Sequence, residues 1–352
     1  MKHYHLQVKE IIQETPEAIT ISFWHPLSEM LKYQPGQFLT FLLTINGEKI
    51  RRSYSLCSSP HTDSSPAVTV KRIPGGLVSN WLIDNLKAGD YLETLEPTGN
   101  FRIEPDARNA RTVVLIGAGS GITPLMSMTK SVLKIESDSR VVLLYGNRNE
   151  ESIIFKKQLE NLSEQYGERL VIKHSLSQPS GTWTGATGRL NKTQILRLLE
   201  RLPHFNAPSA EYYLCGPDGL MEEAKRALEV LGVASTQVHK ESFATATTHT
   251  PTIEADDEGS LKTQEITVIY EGSEYKIEVQ PHQTILEAAL EMDIELPYSC
   301  QAGMCTACMG RCVSGKVQLD EEDGLTKAEL AAGYILTCVA HPLSKDVVIE
   351  IE

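Results

Sequence analysis

Short apolar runs that alternate with polar residues fill the first hundred or so positions, Leu39 to Leu43 and Ala67 to Val70 among them, with Pro-Gly, Asn-Gly and Gly-Gly pairs between the runs. Period-two alternation with this turn punctuation predicts an antiparallel β-barrel. One stretch breaks the period: the spacing from Val78 to Leu86, after Gly75-Gly76, predicts a short helix. From Arg111 the pattern changes to apolar strands at Thr112 to Ile116, Val141 to Tyr145, Leu170 to His174 and Tyr212 to Cys215, with amphipathic helical segments between them and a helix from Asp218 to Val230 after the last. Such alternation predicts a doubly wound parallel sheet whose ligands sit beyond the carboxyl ends of its strands. Ala244 to Leu261, rich in Thr, Pro, Asp and Gly, reads as a linker. Beyond it, Glu265 to Val279 alternates like a β-hairpin and Thr284 to Met292 has helical amphipathicity, which predicts a small α+β domain. The expected division is therefore 1–108, 109–243, a linker at 244–263, and 264–352.

At 352 residues the chain is long enough for two or three cores, in agreement with that division. It contains no run of eighteen apolar residues, and Met1 to Glu10 is polar, so a cytoplasmic protein is expected. Of the net charge of −13, residues 264–352 hold −11, from 16 Asp and Glu against 5 Lys and Arg. An end this acidic argues against nucleic acid and against an anionic membrane; it suits either a basic protein partner or simple solubility.

Five of the seven cysteines also lie at that end. Cys300, Cys305, Cys308 and Cys338 are spaced C-x4-C-x2-C-x29-C, the plant-type arrangement for a [2Fe–2S] cluster. The residues between the first three are small or flexible, so backbone can wrap the irons and turn N–H groups toward sulfur, with Gly303 free to take positive φ. Structural zinc usually pairs two C-x2-C knuckles, and disulfides are uncommon in the cytoplasm. Cys312 falls outside the spacing and is expected to be a small buried residue.

Two glycine-bearing motifs mark the middle domain. Gly117-Ala-Gly119-Ser-Gly121-Ile-Thr123-Pro124 follows the first strand and opens a helix, where glycines let amides approach a pyrophosphate at the helix N-terminus. Thr123 is suited to capping that helix and Pro124 to its first turn. The third glycine comes one position early for the usual dinucleotide fingerprint. Cys215-Gly216-Pro217 ends a later strand, again at a ligand position. In the barrel, Arg52-Ser53-Tyr54-Ser55 lies on a strand and Gly76-Leu77-Val78-Ser79 opens the short helix. A strand arginine and a helix N-terminus together suit a phosphate, and Tyr54 offers a flat face.

Together with Pro35-Gly36-Gln37-Phe38 and Glu241-Ser242-Phe243, these segments occur in the order of the ferredoxin–NADP reductase superfamily, which the chain resembles from residue 1 to about 243. The remainder resembles a plant-type, β-grasp-like ferredoxin, and the whole looks like the reductase component of a bacterial oxygenase. The resemblance implies that Arg52 binds flavin phosphate, Tyr54 stacks on the isoalloxazine and Ser55 hydrogen-bonds near its N5, while Gly76, Leu77, Val78 and Ser79 hold pyrophosphate. It implies a catalytic set of Ser55, Cys215, Glu241 and Phe243, with Cys215 near the nicotinamide and Phe243 covering the flavin. Gly117, Gly119, Gly121, Thr123, Pro124, Gly216 and Pro217 are expected to line the nicotinamide nucleotide.

A nicotinamide gives up two electrons as hydride while a [2Fe–2S] cluster takes one at a time, so the resemblance implies a flavin that converts between them. FAD is expected, with FMN as the alternative. The acceptor implied is a mono- or dioxygenase, such as a phenylacetyl-CoA epoxidase-type enzyme; a cytochrome P450, a hybrid-cluster protein or a redox-sensing carrier role are the alternatives. NADPH and NADH both stay open. Arg148 is placed to meet a 2′-phosphate, but Gln178 stands after Ser177 where many NADP-using relatives have Arg.

Overall fold

The computed structural model describes residues 2–26, 30–203, 205–243, 262–301, 303, 306–322, 324–325 and 327–351. Two compact bodies make up the chain, one of Lys2–Pro97 with Phe101–Phe243 and the other the C-terminal domain. The linker expected between them, 244–261, lies outside the described residues.

The first body begins with strands β1 (His3–Thr15), β2 (Ala18–Phe23), β3 (Phe38–Ile45), β4 (Glu48–Ser55) and β5 (Ala67–Lys71), then helix α1 (Leu77–Asn85) and β6 (Tyr91–Leu95). They form one antiparallel sheet in the order β4-β3-β6-β1-β2-β5, and a bridge from Leu56 to Val68 brings its two edges together. The β3–β4 hairpin turns at Asn46 and Gly47, with φ of 55° and 86°. Both central residues are left-handed, the conformation that matches strand twist and that Asn-Gly adopts most readily. Leu6, Phe23, Leu39, Phe41, Val68 and Leu82 fill the barrel. Each such side chain contributes about 1.5–3 kcal/mol by leaving water.

The same body continues with β7 (Thr112–Ala118), α2 (Ile122–Ile135), β8 (Arg140–Asn147), α3 (Lys156–Tyr166), β9 (Leu170–Leu176), β10 (Ala186–Thr187), α4 (Lys192–Glu200), β11 (Glu211–Cys215), α5 (Asp218–Val230) and β12 (Val238–Glu241). All six strands run parallel in the order β10-β9-β8-β7-β11-β12. Helices cover both faces, which is why β7 is apolar throughout: Val113 and Leu115 enter one core, Val114 and Ile116 the other. The strand order reverses between β7 and β11, so the crevice beyond their carboxyl ends is where a ligand is expected. Helix α2 ties this sheet to the barrel. Ser127 Oγ donates to Ser58 O at 2.5 Å, the Ser131 and Ser59 hydroxyls meet at 2.7 Å, and Lys130 pairs with Asp63 at 3.0 Å.

The C-terminal domain contains β13 (Gln264–Tyr270), β14 (Ser273–Val279), α6 (Ile285–Glu291), β15 (Met309–Ser314), β16 (Val317–Leu319), α7 (Lys327–Ala331), β17 (Tyr334–Leu336), β18 (Ala340–Pro342) and β19 (Val348–Ile351). Its main sheet has the order β14-β13-β19-β15-β17 with β13 and β19 parallel, and β16 pairs separately with β18. Helix α6 starts on a capping box: Thr284 Oγ1 accepts from the Glu287 N–H at 3.2 Å and Glu287 Oε2 from the Thr284 N–H at 2.9 Å. Among the described residues, no helix is long and apolar enough to cross a membrane.

Candidate functional site

At the switch-point crevice the two glycine motifs touch. A Cβ on Gly121 would stand 2.0 Å from the Cys215 carbonyl oxygen, one on Gly117 2.7 Å from Leu125, and one on Gly216 3.2 Å from the Ala118 nitrogen. Gly119 has φ of 56°, and its carbonyl accepts from the Tyr145 hydroxyl at 2.9 Å. The early third glycine thus serves strand-end contact: Gly121 lets the loop after β7 lie on the backbone after β11. Gly121, not Thr123, is the N-cap of α2. Thr123 lies inside the first turn, buried with Pro124, and its hydroxyl donates to Ser120 O at 2.9 Å. A threonine two residues into a helix faces the preceding turn, so its oxygen cannot reach the amides it was expected to cap. Pro217 precedes α5, whose first residue, Asp218, receives the Ser242 hydroxyl at 2.8 Å.

The barrel meets this crevice through β4. Ser55, buried at its end, donates from Oγ to Glu241 Oε2 at 3.3 Å, across 186 positions of sequence. Glu241 ends β12 directly beside Cys215, its partner in the parallel register. Cys215 is fully buried, and burial first, then the Glu241 carboxylate, pushes its thiol well above the ordinary range. It therefore stays a thiol at neutral pH. Two residues on from Glu241, Phe243 is 41% exposed. Tyr54 is half-buried against Phe41, ring centroids 5.3 Å apart, and burial raises its hydroxyl as well. Arg52 is exposed, its guanidinium donating to Arg51 O at 2.9 Å.

Helix α1 starts at Leu77 with Gly76 as N-cap, without a capping side chain and without an acid in its first turn. The Ser79 hydroxyl is committed elsewhere, accepting from the Ile73 N–H at 3.1 Å. What the segment offers an anion is the amides of Leu77, Val78 and Ser79, the open donors of a helix N-terminus. This set and the exposed Arg52 fit a flavin with a phosphate tail.

Lys71, which sequence reasoning missed, ends β5 with Nζ 3.2 Å from where a Gly119 Cβ would stand. Burial and the nearby Arg148 lower its pKa. Only a polar-apolar alternation surrounds it in the chain, so nothing local marks it. Exposed Arg148 follows β8, where its carbonyl accepts from the Gln178 N–H at 2.7 Å and Asn147 O from the Ser177 N–H at 3.0 Å. Glu150, also unsuspected, is engaged: both its oxygens accept from the Ser180 N–H at 3.1 Å, and the Ser180 hydroxyl donates at 2.5 Å. Those bonds hold its carboxyl below the usual range.

In the C-terminal domain, Cys308 lies just before β15 and Cys338 in the turn between β17 and β18. The Thr337 N–H and hydroxyl both donate to Cys308 O at 3.1 Å and tie the two positions together. Their sulfurs are hydrogen-bonded, which holds the Cys308 thiol low and the Cys338 thiol high, with Cys300 close enough to raise both. Gln301, Gly303 and Thr306 have φ of 55°, 70° and 55°, so the loop coils tightly, as a wrapped cluster requires. Cys305 lies outside the described residues, and among those described no three metal-binding side chains converge on a single ion. Cys312, on β15, donates to Ser314 O at 3.2 Å. Three sulfurs on one coiled loop and the turn beside it fit a cluster.

A barrel fused to a parallel nucleotide sheet, with a separate β-grasp-like domain presenting these cysteines, defines a class: pyridine-nucleotide oxidoreductases with a flavin and an iron–sulfur centre. The family descriptions "Oxidoreductase FAD-binding domain", "Oxidoreductase NAD-binding domain" and "2Fe-2S iron-sulfur cluster binding domain" match residues 5–103, 115–226 and 268–343. The chain is 34% identical to one of the subunits of 1,2-phenylacetyl-CoA epoxidase from Escherichia coli (strain K12), over 99% of this chain and 97% of that one. It is 36% identical to the ferredoxin reductase component of 3-ketosteroid-9-alpha-monooxygenase from Rhodococcus rhodochrous, over 98% and 96%. The solved structure of phthalate dioxygenase reductase shares the fold, with a TM-score of 0.60 at 22% identity over 99% and 98%. The chain belongs to the family of oxygenase reductase components built from FAD-, NAD- and [2Fe–2S]-binding domains. It is an oxidoreductase that takes electrons from NAD(P)H through flavin and cluster to a protein acceptor.

Proposed function

We propose that this chain is the NADPH-preferring, cytoplasmic reductase of a multicomponent oxygenase of the phenylacetyl-CoA epoxidase type, with its reaction centre at Ser55, Glu241 and Cys215. The observation that carries the reading is the Ser55–Glu241 hydrogen bond, which joins the flavin-type barrel to the nucleotide crevice beside Cys215. When bound, FAD supplies two-electron exchange with the nicotinamide and one-electron exchange with the cluster. Arg52 and the α1 amides of Leu77, Val78 and Ser79 bind its phosphates, with Gly76 opening the turn, and Tyr54 gives its ring a face. Ser55 donates a hydrogen bond at the ring edge, and the buried Glu241 orients that hydroxyl. Cys215 presents a neutral, apolar wall that excludes water from the reacting atoms. The Gly117, Gly119 and Gly121 amides, with Gly216 and Pro217 opposite, hold the nucleotide; Thr123 and Pro124 shape the helix start beneath it. Phe243 shields the flavin and yields its place to the nicotinamide. Cys300, Cys305, Cys308 and Cys338 ligate the cluster.

The preference for NADPH rests on charge at the end of β8. Arg148 is exposed, whereas the carboxylate of Glu150, two residues on, is already engaged by Ser180. A charge-assisted bond to a 2′-phosphate is worth about 1.5–3 kcal/mol. Steady-state kcat/KM should therefore favour NADPH at least about tenfold, and Arg148→Ala should remove that margin while sparing NADH. A wild type that prefers NADH overturns the nucleotide assignment. Reconstitution with the purified oxygenase tests the partner: substrate oxygenation coupled to NADPH oxidation supports it, and transfer to a P450 or hybrid-cluster protein alone defeats it.

A further inference from the structure

Tyr145, on β8, is fully buried, and its ring lies against that of His174 with centroids 5.8 Å apart. The parallel register sets it beside Gly117, and its hydroxyl reaches past that residue to donate to Gly119 O at 2.9 Å. The Ile154 N–H approaches the same hydroxyl oxygen as a donor, so the one phenol hydrogen is left for Gly119. Gly119 O also receives the Ile122 N–H, which closes the turn into α2. These bonds decide which way the peptide between Gly119 and Ser120 faces. Gly119, at φ 56°, has no side chain to hold that peptide, and glycine takes either sign of φ readily. A trans peptide is planar, with its C=O and N–H on opposite sides. With the carbonyl turned toward the buried ring, the Ser120 N–H points away from the core, one of the first-turn donors that a helical turn leaves open. The Thr123 hydroxyl holds the next carbonyl, Ser120 O, so the peptide planes on both sides of Ser120 are pinned. Lys71 Nζ, 3.2 Å from where a Gly119 Cβ would stand, puts a cation at the same loop.

We propose that Tyr145 is a positioning residue for nucleotide binding, whose hydroxyl fixes the Gly119–Ser120 peptide so that the Ser120 N–H donates to a phosphate oxygen of the nicotinamide nucleotide. The proposal rests on the reading of the Gly117–Gly121 loop as the nucleotide site. Tyr145 itself does not touch the nucleotide; it acts through the backbone. Without its hydroxyl, the Gly119 carbonyl keeps only the Ile122 bond, the peptide is free to turn over, and a carbonyl then faces the phosphate in place of an amide. Such a loss weakens the grip on phosphate and leaves the hydride-transfer geometry at Ser55, Glu241 and Cys215 as it was.

Stopped-flow reduction of the flavin in the holoprotein, followed across NADPH concentrations, separates the dissociation constant from the limiting rate. Tyr145→Phe keeps the ring and removes only the hydroxyl, so Kd for NADPH should rise about tenfold while the limiting rate stays within about twofold of wild type. N-benzyl-dihydronicotinamide, a hydride donor without phosphate, should reduce both proteins equally fast. An unchanged Kd for NADPH overturns the proposal. So does an equal loss with the phosphate-free donor, which would make the hydroxyl a support of the fold. If the variant retains no flavin, NMR of wild type isotope-labelled at glycine and serine nitrogens decides, with Ser120→Ala marking the Ser120 amide. NADP+ should shift that amide together with those of Gly117, Gly119 and Gly121. A Ser120 amide that stays still while the glycines move overturns this proposal alone; if the glycines stay still as well, the nucleotide reading of the loop falls and the proposal falls with it.

Discussion

In the body of residues 2–243, the groups proposed to face flavin and nucleotide come from segments as far apart as Ser55 and Glu241, whereas three of the four cysteines of the C-terminal domain lie within nine residues of one another. The first site is made mostly of backbone. Helix starts and glycine loops supply its amides; of its side chains Ser55, Cys215 and Glu241 are buried, with Ser55 bonded to Glu241, while Arg52 and Phe243 are exposed. The second, as proposed, would be made of side chains that bond directly to metal. A ligand set that binds covalently can be local, because the metal imposes the geometry. A site that must hold two large organic cofactors face to face has to be imposed by packing, and so it draws on both the barrel and the sheet.

Cysteine replacement sharpens this contrast most strongly. Cys338→Ser should lose the cluster and with it essentially all cytochrome c reduction, while NADPH still bleaches the flavin in the same sample. Iron content and absorbance under anaerobic conditions read both at once. If flavin bleaching also fails, the two sites are less independent than described.

A smaller but still large effect is expected at the contact between barrel and sheet. Glu241→Gln keeps the shape but removes the charge beside Ser55 and Cys215, and stopped-flow hydride transfer should slow by about 10²-fold. Cluster content should not change. A rate within twofold of wild type would remove Glu241 from the reaction centre.

Gly121→Ala probes the backbone contact itself. Its Cβ would fall 2.0 Å from a main-chain oxygen that cannot rotate away. Overpacking of this kind costs about 1–3 kcal/mol, which lowers the melting temperature by about 2–4 °C per kcal/mol in a body of this size. Calorimetry should show the loss in the transition of the first body.

The smallest effect concerns a half-buried acid on the barrel. Burial raises the pKa of Glu14, which accepts from the Thr20 hydroxyl at 2.8 Å. A carboxyl whose folded pKa lies above its unfolded one stabilises the fold fully below the unfolded value, and that contribution is lost as pH rises through the folded value. Glu14→Gln should therefore raise the melting temperature slightly at pH 7 and leave it unchanged at pH 4. A variant less stable at pH 7 would mean that the charge is wanted there.

Much of the architecture could be read from periodicity alone, because apolar faces must repeat with the element that buries them. The helix at Asp218–Val230, the Asn46-Gly47 hairpin and the capped start of α6 at Thr284 are where the pattern places them. The cysteine spacing likewise needs no fold to be recognised, since three ligands share one loop. Strand β12 escaped because Val238–Glu241 is four residues long and three of them are polar, too short to show a period. Lys71 and Glu150 escaped for a different reason: an isolated charge has no pattern, and its meaning comes from neighbours that only folding supplies. Thr123 has the residue type of a cap, yet the glycine turn before it starts the helix two residues sooner than a threonine cap would need. Local periodicity and ligand spacing are properties of the chain itself, set by backbone geometry and metal chemistry. The meeting of Ser55 with Glu241, of Gly121 with Cys215, and of Tyr145 with Gly119 depends on which segments the cores bring together, and that is decided only when the apolar faces are buried.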